Sequence, residues 1–383
     1  MSEYQYYEFQ AIDRPLNKKE MDELRSFSTR ARISPTSFVN DYSWGSFKGD
    51  EDKWMERYFD AYLYLANWGT HVFKLRLPAK LLPAATANHY CVGDTVFAKE
   101  KDGKIVISFI SEAEPGDWEE GEGWLSSLIP IRAELARGDL RALYIGWLLC
   151  AQNGQLDDDA SEPPVPPNLA ALSASLQSLV EFLRIDEDIL DVAAEGSAKT
   201  QDEPADKTRI AAWISGLSAA SKDEILVRLM MDGNPQLQNE LLARYDREGK
   251  QNRSGIMMTE KPRPRTVAEL LALAETRTEV RRQADAKKAA EEKARRERAA
   301  ALAREKYLDA LAGRESNAWT EIDQLIATKQ PKSYDRALEL LVDLRDVAGR
   351  KSCAGEFTSR VGKLRTMHAQ KPSLIKRLRD AGL

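Results

Sequence analysis

The residues of this chain that could make or break bonds are few: three histidines, three cysteines and several runs of carboxylates. His89 and Cys91 stand one residue apart, with His71 in the preceding apolar stretch. In a strand that spacing puts both side chains on one face. A zinc centre, however, needs three or four converging ligands, usually from Cys-x₂-Cys or His-x₃-His spacings. None follows, so the pair reads as packing and no metal site is expected. Covalent chemistry fares likewise. There is no Gly-x-Ser-x-Gly elbow, and a Ser–His or Cys–His couple must draw its base from His71, His89 or His368. His368 continues the Phe357–Leu364 stripe and reads as a helix-packing residue. The stretch Gly45-Ser46-Phe47-Lys48-Gly49-Asp50 lacks the glycine and lysine order of a phosphate-wrapping loop. Carboxylates gather in Asp157–Asp159, Glu112–Glu122 and Asp186–Asp191. Acid–base work needs them sheltered, with separated pKa values, and these runs read as solvated loops. No catalytic residue and no cofactor is assigned.

Binding residues are better represented. Trp118 and Trp124 flank a Gly/Glu loop, and exposed tryptophans are typical anchors of protein interfaces. Arg281, Arg282, Lys287, Lys288, Arg295, Arg296 and Arg298 form the strongest candidate contact for nucleic acid, which would act by displacing counterions from phosphates. Glutamates are interleaved and no aromatic residue is present to stack on a base. A solvated helical spacer or a helix laid in a protein groove is the competing reading.

Elements must position these groups, and the bulk numbers bound them. The 383 residues are 43% hydrophobic and 31% charged, a globular composition sufficient for two or three domains. No apolar run reaches the roughly 18–20 residues of a membrane span, and the aromatic, acidic start is unlike a signal peptide. Cys91, Cys150 and Cys353 are far apart, which suggests reduced thiols buried as small hydrophobes. A cytoplasmic location is expected, with no membrane partner. From Lys261 onward there are 28 Lys and Arg against 18 Asp and Glu, and before it 28 against 43. The basic end therefore suits a nucleic acid or an acidic protein surface.

The pattern predicts a mainly α protein with an α+β N-terminal domain over 1–152. Tyr4–Ile12 reads as a strand, Asn17 as a helix cap, and Trp54, Tyr58, Tyr62 and Leu65 as one deeply buried helix. His71–Leu77 alternates, which predicts a strand with one wet and one packed face. Asp102-Gly103 predicts a hairpin turn between Thr95–Lys99 and Lys104–Ile110. Leu125–Arg137 and Leu140–Ala151 read as helices. An Asp/Pro-rich linker follows at 153–168, its prolines favouring an extended strut. A small helical domain occupies 169–248, with Asp186 and Ser221 at N-cap positions, Pro235 opening its last helix, and a second linker at 249–265. Thr266 and Glu269 form a capping-box pattern opening a long charged, alanine-rich helix over 266–312, with opposite charges four apart. The end, 313–383, reads as a helical hairpin module with stripes from Trp319, Tyr334 and Phe357.

Tyr4-Gln5-Tyr6-Tyr7-Glu8-Phe9-Gln10-Ala11-Ile12-Asp13-Arg14-Pro15-Leu16 resembles the opening of a bacterial protein family to which no activity is assigned. Asp41–Asp50 and Phe182-Leu183-Arg184-Ile185-Asp186 are similar to the same family. The resemblance implies a bacterial cytoplasmic origin and no chemistry. The C-terminal stripes look faintly like one tetratricopeptide unit and like tails of SWIM zinc-finger proteins, without the zinc-binding Cys-x-Cys and Cys-x-His pairs. The expected function is a scaffold or adaptor binding protein partners, with the long helix setting their separation at about 1.5 Å per residue. The alternatives are a nucleic-acid-associated factor and an enzyme seated in the front domain.

Overall fold

The computed structural model describes residues 3–114, 119–198, 207–231, 237–238, 240–242, 244–245, 248 and 263–383. They fall into two compact units, 1–280 and 281–383. The fold is mainly helical with an α+β N-terminal region. Seven antiparallel strands lie in the order β2-β3-β1-β4-β5-β7-β6: β1 Gln5–Gln10, β2 Arg32–Ile33, β3 Ser37–Tyr42, β4 Ala61–Ala66, β5 Thr70–Pro78, β6 Val96–Lys101 and β7 Lys104–Glu112.

Side chains alternate across this sheet and build two cores. Leu63, Phe73, Leu75, Ile107 and Phe109 face helices Arg141–Gln152 and Ala174–Leu183, meeting Tyr144, Leu148 and Phe182. On the opposite face Tyr7, Phe9, Phe38 and Tyr62 meet Leu24 of helix Lys18–Phe27 and Trp54 and Met55 of helix Glu51–Arg57. The Asn17–Glu20 capping box fixes the first of these helices. The Asp102-Gly103 turn, with φ of 52° and 70°, joins β6 to β7 and pairs Lys101 with Lys104.

Several expectations are corrected. Trp54 to Leu65 is not one helix: the helix ends at Arg57 and β4 begins at Ala61. A strand buried on both faces is apolar at nearly every position, so it imitates an all-apolar helix. Between the two, Asp60 is held by the amides of Ile12 and Asp13, at 2.7 and 2.9 Å, a long-range contact that local periodicity does not encode. The wet face expected on β5 is covered: Lys74 and Arg76 are each only 5% exposed. Leu125–Arg137 divides into Trp124–Leu128 and Pro130–Ala136, because a proline suits a first turn but not a helix interior. Ser218, not Ser221, caps helix Ala219–Met231, its hydroxyl accepting from the Ser221 amide at 3.2 Å. The helix expected from Pro235 begins outside the described residues.

Residues 153–168, expected as a strut, run along the same core as the sheet. Leu156, Ala160 and Val165 pack against it. Buried Glu162 receives Arg265 through two bonds of 2.8 Å and the Tyr144 hydroxyl as well. The Glu162 amide donates to the Arg265 carbonyl at 2.8 Å, and Arg265 also reaches the Val192 and Ala193 carbonyls. An apolar lining supplied by the prolines and a paired buried charge make this segment part of the packed unit.

The long helix spans Val267–Ala312, opened by the expected Thr266–Glu269 capping box. Its first turns place Val267 and Leu270 in the core of the first unit. In the second unit, Leu308 and Leu311 share a separate core with Trp319, Ile322, Leu341 and Leu374 from helices Glu315–Ala327, Pro331–Arg350 and Pro372–Asp380. Ala354–Met367 completes that module.

Candidate functional site

The three imidazoles do not converge, while two of the thiols, Cys91 and Cys150, are neighbours. His89 and Cys91 follow a short helix, Ala84–Ala87, and share no strand face. His89 is exposed and donates from Nδ1 to the Ala85 carbonyl at 2.6 Å. Cys91 is half-buried, and burial followed by the neighbouring Cys150 pushes its thiol up to about 12. Cys150 is buried and Cys353 exposed, so the buried-hydrophobe reading fails for Cys353. His368 caps the Ala354–Met367 helix in the second unit. Among the described residues, no group of three or more His, Cys, Asp or Glu is placed to hold a metal ion.

His71 on β5 is 2% exposed and stacks on Phe182, ring centres 4.7 Å apart. A carbonyl only accepts, so Nδ1 donates to Phe182 O at 2.8 Å. Nε2 is then free to accept from Arg184 Nη2 at 2.8 Å, with Glu119 Oε2 at 3.3 Å from the same nitrogen. Burial first, then the Arg184 charge, hold the ring below its ordinary pKa against the pull of the Phe182 carbonyl and Glu119. This buried imidazole ties β5 to the end of helix Ala174–Leu183.

A cleft of about 160 Å³ opens on the outer face of β5, β7 and β6, beside helix Glu51–Arg57. Arg76, Lys99, Lys101 and Lys104 line it with Asp52, Glu56, Asp102, Phe97 and Ser108. Asp52 takes Lys74 at 2.5 Å and Lys99 at 3.9 Å, and Glu56 takes Lys101 at 2.6 Å. Arg76 is committed to Asp60 through Nε at 3.1 Å and Nη2 at 2.8 Å. Sequence reading passed over these residues. Their signal is a charge at alternate positions of three strands (Lys74/Arg76, Lys99/Lys101, Lys104), which only the strand order brings to one face.

Trp118 lies outside the described residues. Trp124 is half-buried against Phe182, ring centres 5.3 Å apart. The seven candidate nucleic-acid contacts from Arg281 to Arg298 are all exposed, and Arg296 pairs with Glu292 at 2.5 Å. Helix Ala219–Met231 has no buried residue and exposes Leu229, Met230 and Met231 at 64%, 82% and 78%. Among the described residues no helix is long and apolar enough to cross a membrane. No family model, curated protein or solved structure matches the chain.

Proposed function

We propose that this chain is a non-catalytic protein-interaction scaffold or adaptor of a bacterial cytoplasmic complex. The observation that carries the reading is the presence of two separately cored units on one chain, with its three histidines in unrelated contacts. Each unit offers its own surface while the chain keeps them covalently together, which raises the effective concentration of one bound partner near the other. Apolar surface such as that of Leu229, Met230 and Met231 is of the kind partner proteins cover. Cross-linking of the full chain in its own cells should recover stoichiometric proteins, with cross-links mapping to both units. Recovery of no stoichiometric protein would overturn the reading.

The exposed row from Arg281 to Arg298, eight basic residues against four acidic, favours nucleic acid as a second reading. Filter binding of the full chain at low and high salt separates the two. Retention that collapses with salt supports nucleic acid, and no retention at low ionic strength removes it.

A further inference from the structure

We propose that the cleft on the outer face of β5, β7 and β6 binds a phosphate-class oxyanion, with Lys104 as the cation left unmatched by the protein. Two arrangements of charge there are unfavourable. Lys101 and Lys104 are direct cross-strand partners, and like charges in that position repel, an effect the Glu56 carboxylate 2.6 Å from Lys101 offsets for that lysine alone. Lys104 is also half-buried beside Arg76, and has no carboxylate within ion-pair distance among the described residues. Burial, followed by the Arg76 charge, lowers its pKa, with Asp60 and Asp13 opposing only in part. An anion seated between the two ammonium groups would relieve both.

Protection of a sheet edge does not account for this lysine. Lysines on an edge strand discourage pairing with other chains, which explains Lys99 and Lys101 on β6. Lys104 begins β7, which lies between β5 and β6.

The donors select the ligand. Arginine's planar fork matches carboxylates and phosphates alike, but that of Arg76 is already spent on Asp60. What remains are ammonium groups, which serve as point-charge phosphate binders. Lys74 and Lys99 share the single carboxylate of Asp52, so the site keeps positive charge beyond Lys104, offset at the rim by Asp102. A volume of about 160 Å³ is below the roughly 300 Å³ at which drug-sized sites begin. It suits a free phosphate or the phosphate end of a larger ligand.

Titrating inorganic phosphate into the full chain at low ionic strength, with acetate in parallel, tests the proposal. Phosphate should saturate a single site, and acetate at the same concentrations should not. Lys104→Met should weaken binding at least tenfold and, without phosphate, leave the melting temperature unchanged or higher. Lys332→Met, an exposed lysine of the second unit, should bind as wild type. In the unmutated protein, phosphate should raise the pKa of the Lys104 ammonium followed by NMR, a readout independent of any variant's folding. Absence of saturable phosphate binding, wild-type affinity in Lys104→Met, or a Lys104 resonance indifferent to phosphate would each overturn it.

Discussion

At Asp60 burial and pairing pull in opposite directions. The residue is 1% exposed, which raises a carboxyl's pKa, yet Arg76, two backbone amides and Arg132 outweigh burial and hold it below the ordinary value. A depressed carboxylate contributes stability that is present above its unfolded pKa and lost as pH falls through the folded one. Urea midpoints should therefore decline on acidification below about pH 4, the unfolded value for aspartate. Asp60→Asn leaves Arg76 buried without its partner and should cost about 3–5 kcal/mol at neutral pH, with a shallower acid limb. An Asp60→Asn protein with wild-type acid sensitivity would show that other groups set that limb. None of this could be read from the chain, since Asp60, Arg76, Arg132 and Asp13 are brought together only by strand pairing and a helix from elsewhere.

Among the elements, those with local causes were legible. Asn17 and Glu20, Thr266 and Glu269, and Asp102-Gly103 act within a few residues of themselves, and each terminates or turns the chain where its chemistry predicts. Elements decided by distant partners were misread: β4 because both of its faces are covered, and β5 because Lys74 finds Asp52 on a helix and Arg76 finds Asp60 just before β4. The cleft was illegible for the same reason. Its lysines stand on three strands whose adjacency no local signal fixes. Turn glycines give a graded test. Gly69 has φ of +99°, and a Cβ there would lie 2.0 Å from the Ala113 carbonyl oxygen. Gly103 has φ of +70° and open space around it. Gly103→Ala should cost about 1 kcal/mol or slightly more from backbone strain. Gly69→Ala should cost clearly more, because backbone must also move. Chemical denaturation of both variants checks the order, and equal losses would contradict the clash.

For the whole molecule, two separately cored units imply two folding reactions. Calorimetry should resolve two transitions. Leu148→Ala and Leu341→Ala, each emptying a fully buried site in a different core, should lower one transition each by about 2–5 kcal/mol. A common shift of both transitions by either variant would mean the units melt as one. The acidic front and basic end were visible in the composition. What joins residues far apart in the chain was not, and the Glu162–Arg265 clamp is the clearest case. Because Arg265 also holds the Val192 and Ala193 carbonyls, the polypeptide departs after Ser197 and comes back at Pro264 to nearly the spot it left. Helices Lys207–Gly216 and Ala219–Met231, which lie on that excursion, bury none of their residues. Replaced by a short glycine-serine bridge, the excursion should leave a trunk that still folds, less only such ties as the Lys80–Glu240 ion pair, and whatever depends on its exposed methionines should vanish alone.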